Sequence, residues 1–174
     1  MNFGWMEGLY RTYRQSLYAF FWSRTGSRED AMDLVQDVFI RAWRHATALG
    51  DMPESRRGYW LFACARTVSI DHHRHRHIAW KAELRHGTEQ AARLAGDPVD
   101  LAEAAEDWRD LDRAIRALPE PLRDVLSLRV LGELTSRQIS EVLGVPPGTV
   151  RYRLARARAE LWRHRPSGGG DGEL

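Results

Sequence analysis

The sequence predicts an all-α protein: two small helical domains joined by a flexible linker, the second a four-helix helix-turn-helix domain. Three observations carry this. Apolar residues recur at spacings of three and four along nearly the whole chain, and the period-two alternation of strands is absent. That pattern fades between about His86 and Asp107, where Gly87, Gly96, Asp97 and Pro98 interrupt it and alanines and acids dominate; this is linker chemistry. Gly144 then separates a short amphipathic stretch from a longer, arginine-rich one. At 174 residues and 43% hydrophobic content the chain has enough apolar material for two small cores. The expected division is a first domain over 1–80, a linker over 81–108, a second domain over 109–165, and a glycine-rich, disordered tail over 166–174.

Each element follows from local chemistry. Leu9, Tyr13, Leu17 and Phe20 share one face of a first helix from about Trp5 to Arg24, which Gly26 and Ser27 break. Ser27 is suited to cap a second helix reaching about Leu49, with Ala31, Leu34, Val35, Val38 and Ala42 inward. The run from Gly50 to Ser55 reads as a loop. A third helix from about Arg57 to His75 turns Leu61, Ala65 and Val68 inward. In the second domain Leu111, Ile115 and Leu118 form a stripe that Pro119 ends, and Pro121 fits the first turn of the next helix, which carries Leu122, Val125, Leu126 and Leu131. Thr135 or Ser136 caps a short helix holding Ile139, Val142 and Leu143, and Gly144 supplies a turn where positive φ is cheap. Ser140 stands at a close-contact position that suits a small residue. The last helix packs Val150, Leu154, Ala157 and Leu161.

Charge is polarised by segment. Between Asp97 and Asp112 seven acids stand against Arg109, and between Pro147 and Arg165 six arginines stand against Glu160. The basic end is a candidate for phosphate backbone. A single cysteine, Cys64, excludes an internal disulfide framework and a multi-cysteine zinc site. No apolar run approaches membrane-spanning length and the N-terminus has no signal-like pattern, so the expectation is a soluble, cytoplasmic protein without a membrane partner.

Three surfaces invite partners. On the last helix, the side opposite the apolar stripe presents Gly148, Tyr152, Ala155, Arg156 and Ala159. Small residues between cationic and aromatic ones let such a helix sit deep in a major groove. Arg151, Tyr152 and Arg156 suit base edges; Arg153, Arg158 and Arg163 suit phosphates. On the second helix Gln36, Ile40 and Trp43 face outward beside Asp33 and Asp37, an apolar patch among acids of the kind that binds protein. On and before the third helix, Arg56, Arg57, Tyr59, Trp60, Arg66, Thr67 and Ile70 lie away from the apolar stripe, and the helix runs out through Asp71-His-His-Arg-His-Arg-His77, with Arg74 and Arg76. Rings and guanidinium groups on one face suit single-stranded DNA. His73 and His77, at i and i+4, have metal-ligand spacing, but no carboxylate or cysteine accompanies them and the interleaved arginines repel a cation. Asp71 and His72 are adjacent and face different ways, so they make no acid–base pair. No catalytic constellation and no cofactor are expected.

Taken together, these residues resemble the extracytoplasmic-function (ECF, group 4) sigma factors of bacterial RNA polymerase, over Leu9 to about His77 and Leu111 to about Arg163. The stretch Ser27-Arg-Glu-Asp-Ala-Met-Asp-Leu-Val-Gln-Asp-Val-Phe-Ile-Arg-Ala-Trp43 is similar to the family's polymerase-binding segment, which grips a coiled coil of the clamp. The resemblance therefore implies core RNA polymerase as the partner of Asp33, Gln36, Asp37, Ile40 and Trp43. Tyr59 to Asp71 resembles the segment that opens the upstream-of-start promoter element, and the loop from Gly50 to Gly58 would capture a flipped base. Leu118-Pro-Glu-Pro-Leu-Arg-Asp-Val-Leu and Gly144 to Arg158 resemble the domain that reads the farther element, which implies promoter contacts for Thr149 with Arg151, Tyr152, Arg153, Arg156 and Arg158. An anti-sigma factor is a further partner the family admits. Thr67 stands where the family often carries Asn, and the histidine-rich run replaces a plainer basic one, so base preference in this segment stays open. Histidines there would make DNA contacts sensitive to pH. Two other readings stand beside this one: a stand-alone helix-turn-helix regulator with a helical sensory domain, and a metal-dependent enzyme using the histidine run.

Overall fold

The computed structural model describes residues 4–86 and 105–163, and every regular element among them is an α-helix. The first domain comprises α1 (Gly4–Thr25), α2 (Arg28–Arg44), α3 (Ala46–Gly50) and α4 (Glu54–His86). The second comprises α5 (Ala105–Ala117), α6 (Glu120–Val130), α7 (Ser136–Leu143) and α8 (Pro147–Arg163). The expectations for residues 87–104 and for the tail lie outside the described residues.

Local chemistry sets the helix ends. At the end of α1, Ser23 and Thr25 donate to the Phe20 and Phe21 carbonyls at 2.9 and 3.1 Å, and Gly26 closes the turn at φ 63° with its N–H on Trp22 O at 2.9 Å. Ser27 caps α2 by accepting from Asp30 N at 3.2 Å. Thr135 caps α7 in a reciprocal box: its hydroxyl oxygen accepts from Gln138 N, and the Gln138 side chain accepts from Thr135 N at 2.9 Å. Gly144, at φ 66°, ends α7 in the left-handed conformation.

Three boundaries depart from the sequence expectation. The second helix does not run unbroken to Leu49. It stops at Arg44, His45 adopts φ −104° and ψ 19°, and α3 then brings Leu49 into the core. The expected loop shrinks to Asp51–Pro53, and Glu54 to Gly58 are the first turns of α4. Nor does α4 stop at His75; it continues to His86. Arg76 pairs with Asp30 of α2 at 3.2 Å, which offsets repulsion within the His/Arg run. Of the α5 stripe, Leu118 is buried and Ile115 half-buried, but Leu111 is exposed.

The two domains meet. A continuous core takes in Leu17, Phe20, Phe21, Val38, Leu61 and Phe62 from the first domain and Val125, Leu128, Leu134, Ile139, Val150 and Leu154 from the second. Phe62 packs edge-on to Phe20 at 5.8 Å, and a Cβ on Gly132 would come within 3.0 Å of the Phe62 ring. Polar contacts frame this junction. Arg24 donates to Asp124 at 2.6 Å with both side chains about 95% buried, Arg66 Nε lies 3.1 Å from the same carboxylate, and Arg123 donates to Ser23 O at 3.0 Å. Trp22 donates to Asp112 at 3.2 Å.

Candidate functional site

The helix-turn-helix is held by few, specific contacts. Ser140 donates to Val145 O at 2.6 Å, tying α7 to the turn before α8. The small residue at this close approach is therefore also a hydrogen-bond donor. Ser140→Ala is expected to lower unfolding free energy by about 1 kcal/mol, read as a shift in the urea midpoint. Val150, Leu154 and Ala157 of α8 are buried and Leu161 is half-buried, as the helical spacing implies. That burial turns Arg151, Tyr152, Arg156 and Arg158 to the surface, with Tyr152 61% exposed; Thr149 and Arg153 are half-buried. Arg156 lies 6.0 Å from the Tyr152 ring centre and 3.9 Å from Glu160, while Arg163 is drawn to Glu160 at 3.1 Å. The face is one cationic strip with an aromatic ring in it.

On α2, burial of Leu34, Val35, Val38 and Ala42 leaves Asp33, Gln36, Asp37, Ile40 and Trp43 exposed, Ile40 at 48% and Trp43 at 56%. All five expected residues share this outward side. The sequence reading did not include the groove beside it, about 440 Å³ between α1 and α2, lined by Tyr10, Arg14, Tyr18, Met32 and Gln36. The exposed Met32 was the available signal: an apolar residue off the buried stripe of an otherwise charged helix.

The residues proposed for single-stranded DNA do not form one open surface. Arg56, Thr67 and Arg74 are exposed. Arg57 donates to the carbonyls of Leu49 and Gly50 at 3.0 and 3.1 Å and lies over the Trp5 ring at 4.7 Å, so it caps α3. Trp60 is half-buried against His45, with ring centres 5.8 Å apart. Tyr59 donates to Glu141 of the second domain at 3.4 Å, and Arg66 faces Asp124. Burial and the Glu141 charge push the Tyr59 hydroxyl pKa up. Sequence reasoning missed Arg24 and Asp124 altogether; the signal was an acid four residues before Leu128, on its apolar stripe.

Two histidines of the run, His72 and His73, are harder to protonate than a free imidazole. Burial is the main cause that lowers His72 below its ordinary 6.5, against the pull of Asp30, whose carboxylate is 3.9 Å away. His73 is lowered too, again by burial first. A histidine whose folded pKa is depressed is more readily protonated in the unfolded chain, so stability is kept above 6.5 and lost as pH falls below it. The melting temperature is expected to fall between pH 7 and 5, and His72→Gln to flatten that slope, as read by circular dichroism. Among the described residues no group of three or more His, Cys, Asp or Glu side chains is placed to hold a metal ion, and no helix is long and apolar enough to cross a membrane. Cys64 is half-buried and its thiol is pushed up by burial.

Comparison with known proteins accounts for both domains. The Sigma-70 region 2 family matches residues 9–77, and the Sigma-70, region 4 family matches residues 108–161. The chain is 30% identical over 152 residues to the ECF RNA polymerase sigma factor SigL of Mycobacterium tuberculosis, covering 86% of this chain and 82% of that protein. It is 27% identical to the ECF RNA polymerase sigma factor SigW of Bacillus subtilis, with the same coverage. Among solved structures, the sigma factor RpoE in complex with the anti-sigma factor NepR from Bartonella quintana superimposes with a TM-score of 0.73 at 22% identity, over 97% of this chain and all of that one. CnrH in complex with the cytosolic domain of CnrY superimposes with a TM-score of 0.62 at 24% identity, over 97% and 92% of the two chains. These two likenesses bear on the fold.

Proposed function

This chain belongs to the family of ECF RNA polymerase sigma factors, and on that premise we propose how its surfaces divide the work of starting transcription. The outward side of α2, with Asp33, Gln36, Asp37, Ile40 and Trp43, holds core RNA polymerase. The observation that carries this is an exposed Ile40 and Trp43 among acids on a helix whose opposite side is fully engaged in the core. Apolar anchors ringed by polar groups are the usual energetic centre of a protein interface. The α8 strip enters the major groove of the farther promoter element, with Arg151, Tyr152 and Arg156 at base edges and Arg153 and Arg158 on phosphates. On α4, Tyr59, Trp60, Arg66, Thr67, Arg74 and Arg76 meet the strand released when the duplex opens, and Arg56 lies at the helix start where that strand would pass. Arg57 supports this region by fixing α3 rather than by touching DNA.

Such a division is binding and remodelling work. Each domain alone holds DNA weakly, and mounting both on one polymerase raises their effective concentration at a promoter whose two elements have the matching separation. Stacking of extruded bases on the α4 rings repays part of the unstacking cost of a few kcal/mol. An anti-sigma protein would act by covering one of these surfaces.

The test is co-elution of the full chain with purified bacterial core polymerase on gel filtration, followed by run-off transcription. A stable complex that initiates at discrete sites is expected. A chain that ignores core polymerase but retards duplex DNA by itself would instead be a stand-alone regulator.

A further inference from the structure

The second domain lies along one side of α4. Tyr59, Phe62, Arg66 and His73 fall on that side, because positions three, four and seven apart share a helix face. Each meets a group of the second domain: Glu141 accepts from Tyr59, Gly132 packs on Phe62, Asp124 sits between Arg66 and Arg24, and the charge of Glu120 acts on His73. Tyr59, Arg66 and His73 are spaced seven residues apart, about 10 Å along the helix. Carboxylates of the second domain thus meet Tyr59 and Arg66 directly and act on His73 through their charge.

We propose that Arg24 and Arg66 form a phosphodiester-binding site on the first domain, which the second domain fills with Asp124 as an internal mimic of the DNA strand. Arg24 is about 95% buried, lies 3.5 Å over the Phe20 ring, and donates to Phe20 O at 2.8 Å as well as to Asp124. Two guanidinium groups converge on one carboxylate. If the domains part, both lose their shared counter-anion and are left as two neighbouring cations open to another anion. Guanidinium pairs match phosphate oxygens as well as they match carboxylates. The single strand that the Tyr59 ring would stack supplies such a phosphate at the same place. Bound strand and packed second domain therefore exclude one another, and the free chain holds its melting face covered. This rests on the reading of α4 as the single-strand face.

The experiment measures anisotropy of a fluorescein-labelled, twelve-nucleotide thymidine oligonucleotide with the full-length chain at low salt. Asp124→Asn is expected to bind about tenfold more tightly than wild type, because the competent open state no longer competes with the internal acid. Glu141→Gln should gain about threefold by the same logic, and adding Arg66→Gln to Asp124→Asn should cancel the gain. In parallel, saturating oligonucleotide should raise the wild-type radius of gyration in small-angle scattering. If Asp124→Asn fails to fold by circular dichroism, Glu141→Gln and the wild-type scattering still decide the matter, since the Glu141 side chain is 51% exposed. Folded variants that bind no more tightly, or a wild-type radius unchanged by bound oligonucleotide, overturn the proposal. Should the same wild-type preparation still start discrete transcripts with core polymerase, only the mimic falls; if it does not, the function reading falls with it.

Discussion

An Asp37→Ala/Trp43→Ala variant is expected to lose core polymerase affinity by about a hundredfold or more while keeping its melting temperature within a few degrees of wild type. Asp37 is exposed, Trp43 is 56% exposed, and the buried stripe of α2 is carried by Ala31, Leu34, Val35, Val38 and Ala42. Removing surface groups outside the core costs about 0.5 kcal/mol or less each. At an interface, a central tryptophan truncated to alanine costs about 2 kcal/mol or more, and 1.4 kcal/mol is a factor of ten in affinity. Surface plasmon resonance against immobilised core polymerase measures the loss. A double variant that binds as wild type does would move the polymerase face elsewhere, first to the α1–α2 groove.

A second large effect is expected at Arg24. Arg24→Met removes a guanidinium that reaches Asp124 at 2.6 Å and the Phe20 carbonyl at 2.8 Å, and leaves a carboxylate that is 5% exposed beside Arg66 alone. Breaking one side of a buried pair costs about 3 kcal/mol or more, because the remaining charge stays desolvated. Burial already pulls Arg24 down to about 10, yet that leaves it fully charged at neutral pH. The loss should appear as a lower urea midpoint, or as two transitions where wild type shows one, since the pair joins the two domains. Replacing all three members of the cluster, Arg24→Met/Arg66→Met/Asp124→Leu, should recover most of it, because a well-packed apolar cluster is often as stable as a buried ionic one. Equal losses in the single and triple variants would mean that packing around Phe20, and not the ionic cluster, holds the junction.

The helix ends were legible because their chemistry is local. Ser27, Thr135 with Gln138, and Gly144 each act within four residues of their own position, and the structure places all of them as caps. The exposed residues of α2 and α8 were legible for a related reason: once the buried stripe is fixed, the outward side follows from helical spacing. The break at His45 was not, since neither glycine nor proline marks it; the chain turns there to bring Leu49 into the core. The extension of α4 past His75 was hidden because Asp30, on another helix, accepts Arg76. The closure of the two domains was hidden most deeply. Arg24 and Asp124 are 100 residues apart in sequence, and although Asp124 falls on an apolar stripe, nothing local names Arg24 as its partner. The closure also changed the reading of α4, where Tyr59 and Arg66 face the second domain.

The most direct test of the account is to transcribe a random library of duplex templates with core polymerase and this chain, and to sequence the templates that yield transcripts. Two short elements at a constant separation upstream of the start are expected, with Arg151→Ala/Arg156→Ala relaxing the farther element and leaving the nearer one. Transcripts no different from those of core polymerase alone, or a single element without fixed spacing, would contradict it.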